Sequence, residues 1–215
     1  MRAARWGLLG LWLAALPAMA GAQESRLVGR LPDAARASVD SLIESARGLG
    51  LPVEPLVDRA LEGAAMGAAP GIIVGAIRRL HDELIVVRSA FGGAATTAEL
   101  TAGVSALRAG ATSQDLARLR RLRPGRPLTV AAAVLADLAA AGVPADTAVG
   151  AVMVLARDAD DADYIAFRRN VQRDIEQGAS PAAALAIRVR GALAASDAPS
   201  VESGAPGPPR PKQKP

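Results

Sequence analysis

The chain has 215 residues, about half of them hydrophobic and 21% charged, with a formal net charge of +4, enough for one domain with a buried core. It has no cysteine and one histidine, His81, which excludes disulfide frameworks, thiol catalysis, iron–sulfur clusters and zinc sites built from cysteines or several histidines. Aromatic residues make up 2% and alanines number fifty, so much of the apolar fraction is small and helix-favouring, which points to an all-α fold with closely approaching helices.

The chain opens on an export pattern. Arg2 and Arg5 precede an apolar run over residues 6–16, Pro17 ends it, and small residues alternate in Ala18-Met19-Ala20 and Ala20-Gly21-Ala22. The run is about half the ~20 residues a membrane-spanning helix needs, so the pattern predicts a signal peptide over residues 1–22, cleaved after Ala20 or Ala22. The expected destination is the periplasm or the extracellular space. Cleavage removes Trp6 and Trp12 and leaves Phe91, Tyr164 and Phe167 as the aromatic residues, too few for sugar-stacking platforms or single-strand nucleic-acid binding. Residues 23–32 read as a linker into a helical domain over residues 33–195.

Within that domain one small pattern recurs. Glycine is followed by a small or apolar residue, then by Pro, Ser or Thr, then by an acid or amide, as in Gly50-Leu51-Pro52-Val53-Glu54, Gly110-Ala111-Thr112-Ser113-Gln114-Asp115 and Gly142-Val143-Pro144-Ala145-Asp146. A glycine in left-handed conformation closes one helix, the apolar residue covers its end, and the Pro, Ser or Thr starts the next with an acid at its positive pole. Gly93 and Gly178 begin similar turns, Gly67 a looser one, and Thr96 with Glu99 has capping-box spacing. Turns near residues 50, 67, 93, 110, 125, 142, 158 and 178 recur about every 17 residues, one short helix plus a turn, and imply a two-helix unit near 34 residues.

Helical stripes fill the intervals. Val39, Leu42, Ile43 and Ala46 form the first; Leu56, Val57, Ala60 and Leu61 the second; Ile73, Ile77, Leu80, Leu84 and Val87 the third. Leu100, Val104 and Leu107, then Leu116, Leu119 and Leu122, then Val130, Val134 and Leu138 come next. The last three are Val149, Val152, Met153 and Ala156, then Tyr164, Phe167, Val171 and Ile175, then Ala182, Leu185, Val189 and Leu193. No stretch alternates with period two. The expectation is about nine short antiparallel helices, arranged as an α-solenoid-like stack or an irregular helical bundle. Residues 196–215, rich in Pro, Gly and Ser and carrying both lysines, Lys212 and Lys214, read as a disordered basic tail.

Few side chains suggest chemistry. Arg118, Arg120, Arg121, Arg123 and Arg126 place five guanidiniums in nine residues at the end of the fifth helix; the bland reading is solvated arginines at a helix C-terminus, and the functional one is an anion- or partner-binding patch. Asp158, Asp160, Asp161 and Asp163 lack EF-hand spacing and read as a cap by Asp160 or Asp161. The spacing of Gly63, Gly67, Gly71 and Gly75 suits close packing of the second and third helices. His81 reads as a surface or boundary residue. No catalytic residue, cofactor or metal is expected, and nucleic acid is not an expected partner. The reading is an exported, non-enzymatic scaffold for a protein or envelope component, with self-association possible. Its alternatives are a small-ligand binder or enzyme with an Arg/Asp/Glu-lined pocket, and an anionic-surface binder using the arginine cluster.

Overall fold

The computed structural model describes residues 26–197. Among them are nine helices and no strand: α1 Asp33–Gly48, α2 Glu54–Ala65, α3 Pro70–Phe91, α4 Thr97–Arg108, α5 Ser113–Leu122, α6 Thr129–Ala140, α7 Ala145–Leu155, α8 Asp161–Glu176 and α9 Pro181–Asp197. The expected leader and tail lie outside the described residues, apart from 196–197, which end α9. No described helix is long and apolar enough to cross a membrane.

The recurring turns are built as their residue types require. Gly50, Gly67, Gly110, Gly142 and Gly178 all have positive φ, and each is succeeded by a residue whose N–H reaches back five positions, as Leu51 does to the Ala46 carbonyl and Val143 to the Leu138 carbonyl. This is the Schellman closure, and the apolar residue after the glycine covers the helix end: Leu51, Ala111 and Val143 are buried. Helix starts carry reciprocal caps. Thr96 with Glu99, Thr112 with Asp115 and Asp160 with Asp163 each form a full capping box. After α3 the positive-φ glycine is Gly92, one position before the one expected, because α3 already ends at Phe91.

Packing keeps to chain order. The main helix contacts join elements one or two steps apart: α1 with α3, α3 with α5, α5 with α7 and α7 with α9 form one layer, and α4 with α6 and α6 with α8 form a second. The helices thus pack as a layered bundle around a single apolar core that runs from Leu27 to Leu185. The second and third stripes are buried or nearly so, and Gly63 gives α2 close approach to α3, where an added Cβ would lie 2.9 Å from Ile73 Cγ1. The other three glycines of that series have open space or a distant neighbour. Leu27 and Leu31 are also buried, so the packed body begins before residue 33. The ninth stripe departs from expectation. Leu185 is buried, but Ala182 and Leu193 are exposed, because no helix of the described residues lies beyond α9 to cover them.

On one edge of the layers the glycine turns stack directly. A Cβ on Gly110 would fall 2.7 Å from the Cβ of Ala145, and one on Gly142 would touch Pro181. Gly110 therefore needs glycine twice, for its φ of 102° and for the neighbouring turn. Gly67, with φ of 67° and open space around it, needs it once. Gly67→Ala should cost about 1 kcal/mol and Gly110→Ala clearly more, about 2–3 kcal/mol, in urea unfolding midpoints. Equal losses would show that the two turns do not press on each other.

Candidate functional site

The opposite edge is tied by arginines, and it holds most of the arginine cluster. Arg88, near the end of α3, donates to the Gly93 carbonyl and, across to the α1–α2 turn, to the Gly50 carbonyl, both at 2.7 Å. Arg120, in the last turn of α5, donates to Glu99 Oε1 at 2.7 Å and to the Arg126 carbonyl at 2.9 Å, and its guanidinium lies over the Phe91 ring. Arg123 caps α5 with its backbone and sends its side chain into the interior. It is 1% exposed, donates to the Ala159 carbonyl at 2.7 Å and Asp161 Oδ1 at 3.1 Å, and stacks 5.1 Å from the centre of the Tyr164 ring. Arg126 donates to the same Ala159 carbonyl.

The five arginines thus divide. Arg120, Arg123 and Arg126 join turns to one another, while Arg118 and Arg121 are exposed, and their guanidiniums make no hydrogen bond or ion pair among the described residues. The division obeys helical period. Leu116, Leu119 and Arg123 fall on the inward face of α5, Arg118 and Arg121 on the outward one. A guanidinium can be buried here because the end of α7 and the start of α8 present it with a carbonyl, a carboxylate and a ring; burying the charge without such partners would be prohibitive.

Glu99 is the acidic counterpart. It is 6% exposed, and its two oxygens accept from the Thr96 N–H and hydroxyl, the Leu128 N–H at 3.0 Å and Arg120. Burial pushes its carboxyl up, but the Thr96 and Leu128 N–H groups and Arg120 together outweigh burial and hold it below the ordinary glutamate range. Tyr164, mainly through burial, is pushed up to about 12 and stays a neutral donor to the Val152 carbonyl.

His81 differs from expectation. It is buried, with Nδ1 3.2 Å from Asp82 Oδ1 and Nε2 3.1 Å from Ser45 Oγ. The order Asp–His–Ser is that of a nucleophilic relay, but Ser45 sits in the last turn of α1, at the negative pole of that helix. An oxyanion forming there would meet the wrong end of the dipole, so the contact is best read as a polar seam between α1 and α3. The acidic stretch is a cap, with Asp160 at the N-cap of α8, and no group of three or more potential metal ligands is found among the described residues.

A concavity lies elsewhere, at the end of the stack. An open groove of about 690 Å³ runs between the end of α7, the first half of α8 and the second half of α9. Val154, Leu155, Phe167, Ile187 and Gly191 give it an apolar floor, with Asp158, Asp163 and Asn170 among its polar members. Arg188 lines it too, but is held in a two-pronged pair with Asp174 at 2.6 and 2.7 Å, which fastens α9 to α8. Nothing in the sequence stripes marked this groove, since its floor residues belong to three helices that meet only after folding. Comparison with protein-family models, curated proteins and solved structures finds no match for this chain.

The Glu99 network gives a pH test. A carboxyl held below its ordinary value adds stability above about pH 4.3, and that stability is lost as pH falls through the folded value. Glu99→Gln should therefore destabilise by about 2 kcal/mol at neutral pH, and the gap to the parent should close as acid protonates Glu99 in the parent. Urea midpoints across a pH series measure it; a gap independent of pH contradicts the assignment.

Proposed function

We propose that the protein is an exported, non-enzymatic scaffold whose helical stack holds a partner protein or envelope component at its C-terminal end. The observation that carries this reading is the state of α9. Its sequence is apolar on nearly every side, Arg188 and Arg190 being its charged residues before Asp197, as in a helix covered all round. Yet among its described side chains only Ala184 and Leu185 are buried, and Ile187 and Leu193 are 52% and 45% exposed. Ile187 lines the adjoining groove, so exposed apolar side chains of α9 border a concavity with an apolar floor and polar members, the kind of surface that marks an interaction site. The export pattern at residues 1–22 supplies the location.

The groove favours a partner with an apolar face over a small charged metabolite. Its arginine is already paired, and its floor consists of aliphatic side chains, Phe167 and glycine. A helical or extended apolar segment laid in the groove along α9 would bury Ile187, contributing about 1–2 kcal/mol.

Ile187→Asp tests the reading at a position that is half exposed and touches no buried charge. The variant should fold with unchanged helical content. Affinity capture from the native envelope should recover a specific protein or envelope component with the parent and lose it with the variant. Recovery of the same set by both would rule out the groove as the binding surface.

A further inference from the structure

The arginines left over by the internal ties point to a second surface. Many guanidiniums are engaged: Arg26, Arg59, Arg108 and Arg168 pair with carboxylates, and Arg88, Arg120, Arg123 and Arg126 hold turns. Of those without such a bond, Arg30 lies before α1, Arg169 on α8, and Arg78 on α3 facing a concavity against α1. Arg79, Arg118, Arg121 and Arg157 have exposed guanidiniums with no hydrogen bond or ion pair among the described residues. All four belong to one layer. Arg79 is on α3, Arg118 and Arg121 are three residues apart on α5, and Arg157 lies just past the end of α7; α3 touches α5 and α5 touches α7.

They also share an outward face. Gln114, Arg118 and Arg121 fall on one exposed side of α5 at steps of four and three, and Arg79 and Val86, seven apart, do the same on α3. Arg121 and Arg157 lie towards one edge, since Arg126, in the turn after α5, reaches the Arg157 carbonyl and bonds to that of Ala159. None of the four lines the groove along α9 or either of two smaller concavities. Unpaired guanidiniums spread over two helices and the turn after a third, outside those concavities, suit an extended array of phosphates better than one small anion. Ile85 and Val86, 38% and 39% exposed on α3, add aliphatic surface next to this row.

We propose that the α3–α5–α7 face, through Arg79, Arg118, Arg121 and Arg157, rests on the anionic phosphate headgroups of a lipid surface. The guanidiniums donate to headgroup phosphate oxygens, and Val86 sits at headgroup level. The surface is separate from the groove along α9, so the scaffold reading and this one stand or fall independently.

The test is sedimentation of the full chain with phosphatidylglycerol–phosphatidylcholine vesicles and with phosphatidylcholine vesicles, at low and high salt. The parent should bind the anionic vesicles alone and release them in high salt. Arg118→Gln with Arg121→Gln should weaken binding by about 30-fold, whereas Arg59→Gln with Arg173→Gln, an equal change of charge on α2 and α8, should leave it nearly unchanged. Arg118→Lys with Arg121→Lys should largely restore it. Helical content measured by circular dichroism keeps loss of fold apart from loss of contact. Equal weakening by both Gln pairs, which would reflect net charge or the ends of the chain, overturns the proposal, as does binding to an acidic polypeptide without binding to anionic vesicles.

Discussion

A buried guanidinium is the constraint on which the middle of this molecule is built. Arg123 leaves the end of α5, enters the interior and finds there the Ala159 carbonyl, the Asp161 carboxylate and the face of Tyr164. Each of these partners is fixed in turn. Asp161 and Tyr164 belong to the first turn of α8, whose start is set by the Asp160–Asp163 box, and the Tyr164 hydroxyl is anchored on the Val152 carbonyl of α7. One charge therefore specifies how three helix ends meet. An apolar residue of equal volume could fill the space, but would not demand a particular turn beside it.

The same logic extends along that edge. Arg88 ties the turn after α1 to the turn after α3, Arg120 with Glu99 ties the turn after α3 to the turn after α5, and Arg123 with Arg126 carries the series to the turn after α7. At the other edge turns meet through glycine, as at Gly110 against Ala145. The alanine-rich composition fits both devices, since small side chains let the layers approach closely enough for turns to touch. Function then falls to the groups that the ties leave over: an apolar helix face at the end of the stack, and arginines that point outward without a partner.

Much of this architecture could be read from local residue patterns. A Schellman turn or a capping box is closed by residues within six positions of one another, so Gly50-Leu51 and Thr96-x-x-Glu99 report their geometry without knowledge of the fold. The helical stripes are equally local. The fates of Arg123 and His81 are not, because they depend on where residues 36 positions away come to lie: Ala159 for the arginine and Ser45 for the histidine. A run of five arginines looked like one patch for the same reason, although period alone places Arg123 on the side of Leu116 and Leu119. The exposure of Leu193 depends on the neighbours of α9 rather than on α9 itself, and no periodicity within a helix reports its neighbours.

The stack is held in chain order by arginine ties at one edge, with Arg123 the most demanding of them. Amide hydrogen exchange of Arg123→Met measures this most directly, because it resolves stability helix by helix. Exchange should be faster in α7, α8 and α9, whose junction with α5 depends on that guanidinium, with near-parental protection in α1, α2 and α3. Uniform acceleration through all nine helices, or parental protection in α8, would contradict it.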